Sequence, residues 1–151
     1  MIEVVVLYAN IIAISILVAL IGLSDFWKRR VPDVYAAALW VCFSGVAIWF
    51  PLLAALAVCA FAWLFFLNAA WVVFKRPEPV LAWGDILAAP PMIGMVGLFA
   101  WDSPLPAIPF AVTLGVMLLA PHFNKERAQP AMAYFAVGYL AALIVRFLIG
   151  I

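Results

Sequence analysis

Residues 24–33 read SDFWKRRVPD. Two acids, three bases and a proline stand together here between two long apolar runs, and the nature of the protein turns on this segment. As a turn between spans, it cuts the chain into hydrophobic helices and orients them. As half of a reaction centre, it gives Asp25 a chemical task.

The surrounding composition favours spans. Of 151 residues, 71% are hydrophobic and 10% charged, whereas soluble domains carry about 45–50% and about 25%. So little polar surface cannot cover a globule in water, and the lipid bilayer is the expected solvent. At about 20 residues per span, the chain accommodates six transmembrane helices with short connections and no separate soluble domain. Residues 1–151 are therefore expected to form one all-α, polytopic integral membrane domain. A barrel is not expected, because the runs are continuous rather than alternating. The net charge of +1 carries no argument for nucleic acid, and no nucleic-acid partner is expected. Cys42 and Cys59 lie in apolar stretches and read as small core residues. His122 has no partner at metal-site spacing, so no metal is expected.

The spans are expected at about Ile2–Leu23, Val34–Trp49, Pro51–Phe74, Ile86–Ala100, a fifth ending near Pro121, and a sixth from Ala131 to the C-terminus. The first is preceded by no basic segment and followed by bases, which fits a retained span rather than a signal peptide. Lys28, Arg29 and Arg30 fall in the first connection, Lys75 and Arg76 in the third, Lys125 and Arg127 in the fifth. Seven of the eight Lys and Arg residues thus lie on one side. The positive-inside rule assigns that side to the cytoplasm and both termini to the outside.

Each acid in such a chain needs a reason, because an ionised carboxylate near hydrocarbon is costly. Glu3 and Asp102 fall at the outer side, and Glu78 and Glu126 sit among cytoplasmic bases. Asp25, Asp33 and Asp85 remain. Asp25 ends the first span and Asp85, in AWGD, opens the fourth, so both reach a similar depth at the cytoplasmic face. Two carboxyls that meet there can share aspartic-protease chemistry, one accepting a proton from water while the other polarises a carbonyl. Such hydrolysis calls for no organic cofactor. Gly84, without a Cβ, permits close approach of backbone beside Asp85. Pro90-Pro91 is expected to distort the opening of the fourth helix. Plainer roles exist for each acid. Asp25 can pair with Lys28 or Arg29 along its own helix, Asp85 can cap the fourth helix, and Asp33 can cap the second. Asn10 and Asn68 are expected to bond between helices, Arg146 to snorkel toward the outer interface, and Gly94, Gly97 and Gly115 to admit close helix packing.

DFWKRRVPD resembles the D-x-x-x-R-x-I/V-P-N segment of the type IV prepilin peptidases and archaeal preflagellin peptidases. AWGD is similar to their second signature, G-x-G-D, which presenilin-like intramembrane proteases share. The resemblance implies that Asp25 and Asp85 are the catalytic aspartates. Arg29, Val31 and Pro32 match the basic and turn-forming part of the first motif, and Gly84 the glycine before the second aspartate. Two positions depart from the pattern: Ala82 stands where the first glycine is usual, and Asp33 where asparagine is usual. The chain also starts at the first span without the cysteine-paired segment of the long, N-methylating enzymes. It therefore looks like the short form that serves tight-adherence (Flp-type) pili.

What the resemblance implies is a membrane aspartic endopeptidase of the bacterial or archaeal cytoplasmic membrane. Its partner would be a pilin-like precursor with a basic leader and an apolar helix. The alternative is a non-catalytic membrane scaffold or assembly factor of a pilus or secretion system. A proton-coupled carrier is weaker, since no acid falls at mid-membrane and no inverted repeat is evident.

Overall fold

In the computed structural model, which describes residues 2–28, 30–73, 83–123 and 130–150, the described residues form six helices. They are α1 (Ile2–Lys28), α2 (Asp33–Ala47), α3 (Pro51–Val73), α4 (Trp83–Phe99), α5 (Ala107–Phe123) and α6 (Ala131–Leu148). Each expected span has its helix. Two boundaries differ in ways that matter. The first helix continues past Leu23 through Lys28, and the fourth begins at Trp83, before Ile86. Asp25 and Asp85 therefore both lie inside helices.

Prolines set the starts. Pro32 and Pro130 occupy the residue before α2 and α6, Pro51 opens α3, and Pro106 precedes α5. A proline costs a helix little at its first turn, where the missing N–H would have had no intrahelical acceptor. Pro32 instead offers its carbonyl, which accepts the N–H groups of Tyr35 and Ala36.

Glu3–Lys28, Pro51–Ala70 and Ala131–Leu148 are long and apolar enough to cross a membrane; α2, α4 and the segment Ala107–Met117 are shorter apolar helices. Large hydrophobic side chains point outward along α1, α3 and α5, among them Ile12, Ile16, Phe66 and Val112. Helices that are apolar all round bury one face in protein and offer the other to an apolar medium.

The core is built around α4. Ile86, Ala88 to Met92, Met95 and Phe99 are buried there, packed against α2, α3, α5 and α6. α1 lies between α2 and α6. Glycines set the closest approaches: a Cβ on Gly22 would meet Ala136 Cβ at 2.5 Å, and one on Gly138 would collide with Thr113 Oγ1. Gly94 and Gly97 serve as expected, against Phe43 and Leu56, whereas no atom of the described residues lies within 4 Å of a Cβ on Gly115. Asn10 donates to Val6 O on its own helix at 3.1 Å rather than across helices, although it sits against Gly45. Cys59 is exposed rather than in the core, because α3 turns that face outward; Cys42 is half-buried.

Pro90-Pro91 does not interrupt α4, which runs on across both residues. Pro91 has no N–H to give the carbonyl of Leu87, four residues back. The indole of Trp40, on α2, supplies the missing donor: Nε1 donates to Leu87 O at 2.8 Å.

Three contacts fix which helix ends lie together. Asp25 touches the start of α6, Val31 touches the start of α4, and Arg146, near the end of α6, pairs with Asp102 in the α4–α5 turn. Asp25, Val31, Gly84 and Ala131 thus belong to one end of the bundle, and Asp102 and Arg146 to the other.

Candidate active site

Asp25 is 5% exposed and Asp85 8%; among the described residues no other charged side chain is buried. Glu3, Asp33 and Asp102 are all exposed. Removing a carboxylate from water costs several kcal/mol unless hydrogen bonds or charges take water's place.

For Asp25 the replacement is the N-terminus of α6. Its Oδ2 accepts the N–H of Met132 at 2.8 Å and of Ala133 at 3.2 Å. The first N–H groups of a helix have no intrahelical acceptor, and Pro130 provides no side-chain cap for α6. A carboxylate from another helix does so instead, and the partial positive charge of the helix start favours an anion there. The plainer role for Asp25 is a pair with Lys28 or Arg29. The Lys28 side chain is exposed, and Arg29 lies outside the described residues.

Asp85 is the third residue of α4, inside the first turn rather than ahead of it, so it is not the residue that precedes and caps the helix. Gly84 brings this turn onto the first motif. A Cβ at Gly84 would stand 3.0 Å from Val31 Cβ and 3.2 Å from Val31 O. Close approach, not a left-handed backbone, is what glycine provides, since Gly150 alone among the described glycines has positive φ. Ala82 lies outside the described residues.

The segment between α1 and α2 is short and tied back on itself. Ser24 Oγ donates to Arg30 O at 3.1 Å, and Pro32 is extended at φ −64°, ψ 129°. Asp33 corrects the expectation of a cap. It is the first residue of α2, the capping position ahead of it is held by Pro32, and it is exposed. Its carboxylate faces outward, and its favourable contact is with the positive end of the α2 dipole.

The structure thus brings Asp25, Val31, Pro32, Gly84 and Asp85 to one end of the bundle, with both acids buried and Val31 against Gly84. The bases Lys75, Arg76, Lys125 and Arg127 and the acids Glu78 and Glu126 lie outside the described residues. Sequence reasoning missed two supports of this end. One is α6, whose backbone receives Asp25. The other is Trp40, which completes the α4 turn that follows Asp85; the signal for it was Pro91, which strips Leu87 of its donor. Chemically, two buried carboxyls at the polar end of an apolar bundle are the groups that general acid–base hydrolysis requires. Comparison with protein-family models, curated proteins and solved structures finds no match to this chain.

Proposed function

We propose that this chain is a membrane aspartic endopeptidase that removes the leader of a prepilin-like precursor, with Asp25 and Asp85 as its catalytic pair. The carrying observation is that the two acids singled out by the motifs are the two buried charged residues among those described. The packing of Val31 on Gly84 supports the same reading, since it joins the two motif segments directly. One carboxylate takes a proton from water as the water oxygen adds to the scissile carbonyl, and the other carboxyl gives its proton to the carbonyl oxygen. The tetrahedral intermediate then expels the amine, which takes up the first proton, and the second carboxyl recovers its own as C=O reforms.

In this reading all six helices span the cytoplasmic membrane of a bacterium or archaeon, with the aspartate end in the cytoplasm and both termini outside. The bases of the odd connections support that orientation. Four of the five exposed tryptophans among the described residues support the depth: Trp27 and Trp83 near one end of the bundle, Trp49 and Trp101 near the other, with Trp63 midway along α3, broadly as in the aromatic belts of membrane proteins. The precursor's basic leader would meet the cytoplasmic end and its apolar helix would lie in lipid.

A second reading has one observation in its favour. Asp25 already holds the start of α6, a structural task that a non-catalytic scaffold of a pilus or secretion system also needs. Co-expression with a tagged prepilin-like precursor separates the two. The peptidase requires Asp25→Asn and Asp85→Asn to leave the leader in place. The scaffold keeps its function in both variants and loses it on core substitution such as Met92→Ala.

A further inference from the structure

At the end of the bundle away from the aspartates, α1, α4 and α6 leave a groove of about 540 Å3. Leu7, Ile11 and Ser15 line one wall, Phe99 and Leu143 the other, and Ala19 closes the inner end. The groove opens sideways past the exposed side chains of Ile12, Ile16 and Phe147. We infer that it is a lipid site that takes one acyl chain of a phospholipid, with the lipid phosphate on Arg146. The inference goes beyond the proposed peptidase activity but rests on the same reading of the chain as membrane-embedded.

Three properties choose this occupant. From Leu7 to Ala19 the groove follows α1 for roughly 18 Å at the helical rise. That is close to one leaflet, about half of a hydrocarbon core of roughly 30 Å. The volume, about 540 Å3, lies in the range of pockets that enclose one small ligand, roughly 300–1,000 Å3, which suits one acyl chain. Charge selects the headgroup. Arg146 stands in the last turn of α6 and lines the groove at its outer mouth, with its side chain 18% exposed. One guanidinium nitrogen pairs with Asp102, and a guanidinium carries five N–H donors, enough to hold a phosphate oxygen as well. On the α1 wall, Ser15 is satisfied by its neighbours. Ser15 donates to Ile11 O at 2.8 Å, which leaves the buried Tyr139 hydroxyl to donate to Ser15 Oγ at 3.2 Å. The inner wall therefore asks nothing polar of its ligand.

The test is native mass spectrometry of the full chain after reconstitution into vesicles of palmitoyl-oleoyl-phosphatidylglycerol and extraction in mild detergent. One retained phosphatidylglycerol per chain is expected. Ala19→Phe, which fills the inner end, and Ile16→Trp, whose bulk lies at the exposed rim and spares the core, should each lower retention at least about tenfold. Arg146→Gln should lower it comparably, while Asp102→Asn, which frees the guanidinium, should retain at least as much as wild type. Equal retention by wild type and both groove variants overturns the site, as does displacement of the lipid by a synthetic precursor helix, which makes the groove a helix-docking surface. Vesicle co-flotation without retained lipid overturns the lipid site alone; failure to co-float overturns the membrane reading with it.

Discussion

Val31 and Gly84 touch across the bundle end, so closely that a single Cβ on Gly84 would lie 3.0 Å from the Cβ of Val31. This contact joins the connection after α1 to the first turn of α4, and so couples the placement of Asp25 to that of Asp85. Gly84→Ala should destabilise the fold by about 1–3 kcal/mol, the usual cost of overpacking. Val31→Gly, which removes the facing Cβ, should recover part of the loss in the double variant. Thermal unfolding in detergent reads both. Full stability of Gly84→Ala alone would contradict the tight contact.

Asp25 should prove structural as well as chemical. Asp25→Ala leaves the N–H groups of Met132 and Ala133 without their acceptor, a loss of about 1–3 kcal/mol for a buried donor. Asp25→Asn keeps an acceptor oxygen and should lose clearly less. Hydrogen exchange at the start of α6 should quicken in the alanine variant and stay close to wild type in the asparagine variant.

Trp40 and Pro91 should behave as a coupled pair. Trp40→Phe removes the donor to Leu87 O, at a cost of about 1–3 kcal/mol. Pro91→Ala restores a backbone N–H four residues after Leu87, so Trp40→Phe should cost much less in that background. A double-mutant cycle measures the coupling directly, and additive losses would show that the indole is not replacing the proline's missing donor.

At the opposite end, the hydrogen bond from Arg146 holds the Asp102 carboxyl below its ordinary value of 3.8. A carboxyl with a depressed folded-state pKa contributes stability that is present above its unfolded value and lost as pH falls through the folded one. Wild type should therefore melt slightly above Asp102→Asn near neutral pH, with the difference closing below pH 3.8. High salt should shrink the same difference, since the carboxylate is exposed at 59%. A gap that widens on acidification would contradict the pair.

The helices were legible because long apolar runs broken by prolines and charges leave few alternatives, and the observed helices follow the expected ones within a few residues. The two buried acids were legible through their neighbours, Val31-Pro32 after one and Gly84 before the other. What Asp25 binds was not. Its acceptor role involves backbone N–H groups 107 and 108 residues away, and a backbone donor has no letter in the sequence. Asp33 shows the reverse: a residue type that favours caps, at a helix start, but one position too late to cap it. Cys59 and Gly115 failed for a common cause. Helices apolar all round carry no periodic sign of which face meets protein and which meets lipid, so packing roles cannot be assigned from them.

The central claim is that Asp25 and Asp85 hydrolyse a peptide bond together. Its most direct test uses the purified chain in phosphatidylglycerol vesicles with a prepilin-like precursor, following leader release and the new N-terminus by mass spectrometry. Wild type should release the leader, while Asp25→Asn and Asp85→Asn should each lose at least about 100-fold in rate, the lower bound for removing one general acid or base, with unfolding temperatures near wild type. Leader release at the wild-type rate by either folded variant would contradict the claim.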